Sequence, residues 1–377
     1  MAETHELARR STQIGRAKHI LRHHLQMLWS DPARATGVPP LMIWGPPGVG
    51  KSALIRQVAD EERIGFLDVR LAQREPVDIR GLPVPREDGV HWLTSAEWPR
   101  IGRGIILFDE LTAADRSLQV AAYEFILDRR LGDLYQVPDG WYVCAAGNRS
   151  DDRAVTATFS SALANRFCHL EVEANLEDWV GWALSAALHP DVIAFLRYEP
   201  RLLFALGGET EQGWPTPRSW ERVSLELEHA ERSGLDESSF GLIVQGLVGP
   251  AAATEFLGFR AWSRELPAVG AMLRGELPIT VPERADQRYA LCSAAARYAS
   301  REPELVGGLL ALSLAMTADF SLLCLLDYVG SAEAEQAARR VETLTEHPAF
   351  AEWKRRHGPL LVDRVPSLRS AARPGEE

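Results

Sequence analysis

Lysine is almost missing from this chain of 377 residues: it stands only at positions 18, 51 and 354, so 38 of the 41 basic residues are arginine. Basic charge is short altogether, because 52 acidic residues outweigh it and leave a net charge of −11. A general nucleic-acid coat or a membrane-surface protein needs the opposite sign, which disfavours both classes without excluding a narrow basic pore or groove. Cysteine is equally sparse. Cys144, Cys168, Cys292 and Cys324 are far apart and lack C-x-x-C spacing, so neither a disulfide framework nor a zinc site is expected. Long apolar runs are absent too. The most apolar stretch, Leu305 to Leu326, is interrupted by Gly307, Gly308 and Asp319 and reads as buried helix, not as a membrane span. The first residues, Met-Ala-Glu-Thr-His-Glu-Leu-Ala-Arg-Arg, contain no apolar signal core. The expected location is therefore the cytoplasm.

What is present fits a globular protein: 46% apolar and 25% charged residues, with length for more than one domain. One of the three lysines sits in a stretch that organises the rest. Leu41-Met-Ile-Trp44 runs into Gly45-Pro-Pro-Gly-Val-Gly50-Lys51-Ser52, which fits the phosphate-binding pattern G-x-x-x-x-G-K-[ST]. A buried strand stops there, the backbone turns its N–H groups toward an anion, and a helix begins with its positive end on the same point. The nucleotide-binding set is Gly45, Pro46, Pro47, Gly48, Val49, Gly50, Lys51, Ser52 and Ala53. Lys51 would reach the β and γ phosphates of ATP, and the Ser52 hydroxyl would bind Mg²⁺.

Ahead of the loop, residues 12 to 30 carry an amphipathic helical pattern. Its His19 and His23, an i, i+4 pair with no acidic neighbour, read as ordinary surface residues. After the loop, Gly65 to Leu71 reads as a second strand. Residues 75 to 98 then break the alternation of strand and helix, with Asp88-Gly89 as a type I′ hairpin signal. That insertion, with Trp92 and Trp98, is either a packed flap or a functional loop. Ile105-Ile-Leu-Phe-Asp109-Glu110 is an apolar strand ending in two carboxylates. Asp109 would hold Mg²⁺ through water, and Glu110 would polarise the attacking water as general base. A hairpin at 131 to 140 leads into the strand Trp141 to Gly147, whose tip carries Asn148, placed to hydrogen-bond the nucleophilic water. Arg166 ends a short helix before the strand Cys168 to Ala174. It either caps that helix or projects into a neighbouring subunit's nucleotide. From Leu176 onward the signals are helical, with Thr216-Pro217-Arg218 opening one helix and leaving Arg218 exposed.

Over roughly residues 10 to 235 these motifs, in this order, resemble the AAA+ ATPases, and within them the MoxR branch. By position, the resemblance makes Gly45 to Ser52 the Walker A element, Ile105 to Glu110 the Walker B element and Asn148 sensor 1. Arg166 then looks like the arginine finger, Arg218 like the sensor 2 arginine, residues 75 to 98 like the helix-2 insert and residues 131 to 140 like the pre-sensor-1 hairpin. It implies an α/β fold: a parallel five-strand sheet in the order 5-1-4-3-2 over residues 1–175, and an all-α lid over 176–265. Residues 266–377 form a helical extension without a family counterpart, ending in a disordered tail.

The resemblance also implies a homo-oligomer, typically a hexameric ring. Its function would be ATP-driven remodelling or activation of a protein client, with a separate von Willebrand factor A domain partner. No D-x-S-x-S motif of that partner occurs in this chain. Three rivals stand beside this reading. A nucleic-acid-directed motor is disfavoured by the acidic charge and by a hairpin at 131 to 140 without Lys or Arg. A metal-chelatase motor subunit uses the same engine. A non-hydrolysing scaffold conflicts with the intact Glu110.

Overall fold

The computed structural model describes residues 11–149, 164–206, 213–264, 268–330 and 334–364. Contacts divide the chain into two compact units, Met1–Asn175 and Leu176–Glu377.

The first unit opens with β1 (Ser11–Thr12) and α1 (Ile14–Ser30), followed by β2 (Leu41–Trp44), α2 (Lys51–Glu61) and β3 (Gly65–Arg70). A short helix α3 (Pro76–Arg80) and the strands β4 (Leu82–Arg86) and β5 (Gly89–Leu93) form the insertion. Then come β6 (Gly104–Asp109), α4 (Arg116–Asp128), β7 (Arg130–Leu131), β8 (Tyr135–Gln136), β9 (Trp141–Gly147) and β10 (Cys168–Val172). The main sheet is parallel throughout, in the order β1-β10-β2-β9-β6-β3. Without the two-residue edge strand β1, this is the expected 5-1-4-3-2 arrangement.

Both faces of the sheet are covered, so its central strands are apolar almost throughout, β6 ending in Asp109. Leu41, Ile43, Ile105, Leu107, Tyr142, Cys144 and Ala146 point into the core beneath α1 and α2. The alternate residues Met42, Ile106, Phe108, Val143 and Ala145 meet Phe125 and Ile126 of α4 on the other face. Trp98 is 1% exposed and packs on Phe125, with ring centroids 4.6 Å apart. Trp92, in the same insertion, is 45% exposed.

The insertion is a hairpin, but its turn differs from the expected one. Arg86 pairs with Gly89, so Glu87 and Asp88 are the two central residues. Neither has positive φ, which a type I′ turn demands at both; the freedom of glycine is used one residue later, at Gly89 with φ 136°.

In the second unit every described element is helical. These are α5 (Leu176–Ser185), α6 (Pro190–Tyr198), α7 (Pro217–Ser233), α8 (Glu237–Val248), α9 (Pro250–Arg264), α10 (Val269–Leu273), α11 (Ala285–Arg301), α12 (Val306–Leu314), α13 (Ala318–Gly330), α14 (Ala334–Glu346) and α15 (Pro348–Arg364). Helix α11 runs through the middle and packs on α6, α9, α10, α12 and α13. Leu291, Cys292, Ala295 and Ala299 form its apolar stripe in a core that reaches to Trp353. The apolar stretch from Leu305 is two helices, α12 and α13, and no helix among the described residues is long and apolar enough to cross a membrane. Helix α6 ends at Tyr198, because Pro200 starts a separate 3-10 turn.

Candidate nucleotide site

The carboxyl ends of β2, β6 and β9 lie side by side, since Trp44 pairs with Gly147 and Phe108 with Ala145. A parallel sheet therefore delivers the phosphate loop, the Asp109-Glu110 pair and Asn148 to one edge. The loop needs its glycines. A β-carbon at Gly45 would collide with the Val172 carbonyl of β10, and Gly48 and Gly50 adopt φ 81° and 104°. Gly50 caps α2 without a side chain, leaving the helix start to the loop.

Lys51 is 8% exposed. Its Nζ donates to Gly45 O at 2.6 Å, Pro46 O at 3.0 Å and Asn148 Oδ1 at 2.9 Å. One ammonium thus touches both the phosphate loop and the tip of β9. The Ser52 hydroxyl donates to Asp109 Oδ2, and Asp109 Oδ1 accepts from the Glu110 amide at 2.9 Å. Glu110 is exposed and sits at φ 56°, a left-handed conformation that costs a non-glycine residue free energy and clusters at functional positions.

Ser52 and Asp109 present adjacent hard oxygens, the donor set from which Mg²⁺ is held together with phosphate oxygens and water. Asp68 on β3 supplies a second sign of fit. Burial, then the nearby Asp109 carboxylate, hold its carboxyl above the usual range, and its Oδ1 is buried without a hydrogen bond. A divalent cation at Asp109 would relieve that excess of negative charge.

Two supports carry no strong sequence signal. Thr112 Oγ1 accepts from the Asn148 amide at 3.2 Å, fixing the tip of β9. His169 accepts from Trp44 Nε1 at 2.8 Å and donates through Nε2 to Ala164 O at 2.7 Å. This ties the turn that contains Arg166 to the last residue of β2. The only earlier hint at Thr112 is its place two residues beyond Glu110.

Arg166 and Arg218 are not brought into these contacts. Both are exposed and neither makes an ion pair among the described residues, Arg166 in the turn before β10 and Arg218 in the first turn of α7. That helix starts as expected, with Thr216 accepting from the Ser219 amide and Pro217 in the first position. The residues between 150 and 163, part of the run into the expected short helix, lie outside the described set.

In the second unit, ligand atoms of His189, Asp191 and Glu231 lie within 4.8 Å of one another. The Arg260 guanidinium already pairs with this group, 3.6 Å from Asp191 and 3.2 Å from Glu231, so a side-chain cation faces it.

No protein-family model matches the chain, and no curated protein is similar to it in sequence. Among solved structures it is similar to NtrX from Brucella abortus, at 16% identity and a TM-score of 0.36 over 81% of this chain. That match spans 64% of NtrX, less than two thirds of its length. The ADP complex of NtrX matches at 18% identity and a TM-score of 0.34, over 88% of this chain and 68% of that one. The RuvB Holliday junction branch migration motor of Thermotoga maritima matches at 15% identity and a TM-score of 0.36, over 78% of this chain and 87% of its own.

Proposed function

We propose that this protein is an ATP-hydrolysing AAA+ motor of the MoxR type, which remodels or activates a protein client. The observation that carries the reading is the pair of contacts Lys51–Asn148 and Ser52–Asp109, which join three separate motifs at one sheet edge. A phosphate loop alone argues only for nucleotide binding. A strand-end carboxylate and a strand-end amide beside it add the groups that hold a metal and orient water, which hydrolysis needs.

In this reading the amides of Gly45 to Ser52 and the Lys51 ammonium bind and orient the triphosphate. Ser52 and Asp109 would hold Mg²⁺, which when bound neutralises charge on the β and γ phosphates. Asn148 orients the attacking water and Glu110 accepts its proton, its exposed carboxylate having no partner among the described residues. Arg166, exposed and without an ion-pair partner among the described residues, suits a finger offered to the next subunit of a ring, typically a hexamer, and Arg218 a second sensor in the helical lid. The lid is assigned to residues 176–265, and the extension at 266–377 to the same helical unit.

The hairpin β4–β5 presents Leu82, Val90, Trp92 and Leu93 to solvent, an apolar surface suited to a client or to a von Willebrand factor A domain partner. The same surface supports a protein client over nucleic acid, which the net charge of −11 also disfavours.

Steady-state ATPase and nucleotide-binding assays test this directly. Lys51→Ala is expected to lose ATP binding, and Glu110→Gln to keep it while turnover falls by about 10²–10⁴. Full hydrolysis by Glu110→Gln, or ATP binding unaffected in Lys51→Ala, would overturn the assignment. Pull-down with ATP-loaded Glu110→Gln identifies the client.

A further inference from the structure

The hairpin of β4 and β5 pairs with no other strand among the described residues, so both of its edges lie outside any larger sheet. Pro83 and Pro85 both stand on β4, and proline has no N–H to donate. The ladder nevertheless runs unbroken through Leu82↔Leu93, Pro83↔Trp92, Val84↔His91, Pro85↔Val90 and Arg86↔Gly89. In an antiparallel pair, hydrogen-bonded and non-hydrogen-bonded residue pairs alternate. The two prolines therefore occupy the non-hydrogen-bonded pairs, and Leu82, Val84 and Arg86 exchange bonds with Leu93, His91 and Gly89. On β5 this turns the N–H and C=O groups of Val90 and Trp92 outward, away from β4.

The two edges are unlike as a result. The outer edge of β4 lacks a donor at both prolines, a device by which edge strands are kept from pairing. The outer edge of β5 keeps a donor and an acceptor at Val90 and at Trp92. Its sequence, Gly-Val-His-Trp-Leu, holds no proline, lysine or carboxylate, and every residue is exposed. Valine and tryptophan favour strands. Cross-strand partners share a face, so Pro83, Pro85, Val90 and Trp92 form one wholly apolar face, with Val90 61% and Trp92 45% exposed. On the opposite face His91 Nε2 is already held by the Asp88 carboxylate at 2.9 Å. One edge is closed to a further strand, and the other is a template for one.

We propose that the outer edge of β5 binds an extended segment of the client as a third strand. Main-chain bonds to Val90 and Trp92 supply the affinity, and the apolar face selects β-branched or aromatic residues at alternate positions of the segment. An unfolded or locally unfolded polypeptide offers that alternating row of donors and acceptors, and a nucleic acid does not. The inference rests on the reading of this protein as a motor with a protein client, and it names the form in which the client is held.

The test uses the full-length protein and a fluorescein-labelled peptide, Lys-Thr-Val-Thr-Trp-Thr-Val-Lys-amide, whose alternate residues are apolar. Fluorescence anisotropy reads binding without nucleotide, so the outcome is independent of ATP turnover, which decides the motor reading by itself. Two further peptides are N-methylated, one on its valines and tryptophan, the other on its threonines. Alternate amides of a strand point to opposite edges, so only one pattern removes the donors that face β5. Saturable binding of the parent peptide is expected, weakened about fivefold or more by one pattern and little by the other. Val90→Pro removes one outward N–H and no bond to β4, and should weaken the parent peptide by about fivefold. Circular dichroism and a melting curve check its fold; if it misfolds, the two methylated peptides still decide. No saturable binding overturns the proposal, and so do equal effects of the two methylation patterns. Self-association through this edge, seen by sedimentation and lost in Val90→Pro while the peptide fails to bind, makes the occupant a second copy and overturns the client assignment.

Discussion

Thr112 holds the tip of β9 from both sides of one residue. The Asn148 amide donates to its Oγ1 at 3.2 Å, and the hydroxyl lies 3.4 Å from Asn148 O as donor. The neighbouring Gly147 makes this possible, because a β-carbon there would fall 2.8 Å from the Thr112 side chain. Asn148 in turn accepts from Lys51. A chain of contacts thus runs from a buried threonine to the ammonium expected on the γ-phosphate. Thr112→Val keeps the shape and removes the acceptor, leaving a half-buried amide unsatisfied at about 1–3 kcal/mol. The expected result is ATP turnover lowered about tenfold or more with little change in ATP affinity, and recovery in Thr112→Ser. A melting temperature that falls while turnover per folded molecule stays constant would make Thr112 merely structural.

Helix α7 carries Glu231 in its last turns, where a neutral or cationic environment decides its charge. The hydrogen bond from His189 and, more weakly, the Arg260 and Arg297 guanidiniums hold its carboxyl down at about 2, from 4.5. A carboxyl depressed in the folded state stabilises it fully above the unfolded value and loses that contribution as pH falls toward the folded one. Melting temperature should therefore drop between pH of about 4.5 and 2 more steeply in the wild type than in Glu231→Gln, and the variant should be the less stable protein at neutral pH. Parallel curves would show that Glu231 contributes nothing to acid stability. Elements such as α7 were legible beforehand, because Thr216, Pro217 and the spacing of Trp220, Val223 and Leu227 are local signals. So were β2, β6 and β9, whose residues are buried on both faces and read as unbroken apolar runs. The turn at Glu87-Asp88 was not, since hairpin register depends on which residues pair, and Asp-Gly fits more than one offset. Nor was Thr112: its value lies in a contact with a residue 36 positions away.

At the scale of the whole molecule, the proposed nucleotide site gathers its phosphate, metal and water groups on one chain, and the proposed reading takes one cation from a neighbouring subunit. Lys51, Ser52, Asp109 and Asn148 are joined by hydrogen bonds, whereas Arg166 is exposed and pairs with nothing among the described residues. If Arg166 serves a neighbouring subunit, Arg166→Ala should lower turnover by about 10³–10⁵ and leave ATP binding intact. The stronger prediction comes from mixing. Lys51→Ala subunits have a dead loop and a sound arginine, and Arg166→Ala subunits the reverse. In a head-to-tail ring, an interface between the loop of an Arg166→Ala subunit and the arginine of a Lys51→Ala subunit contains every working part. Equal amounts of the two inactive variants, assembled at random, should regain activity at roughly a quarter of their interfaces. Each variant alone should stay inactive, and sedimentation should find the mixture in the same assembly as the wild type. No recovered turnover at any mixing ratio, with assembly intact, would place Arg166 on its own subunit's nucleotide or remove it from the reaction.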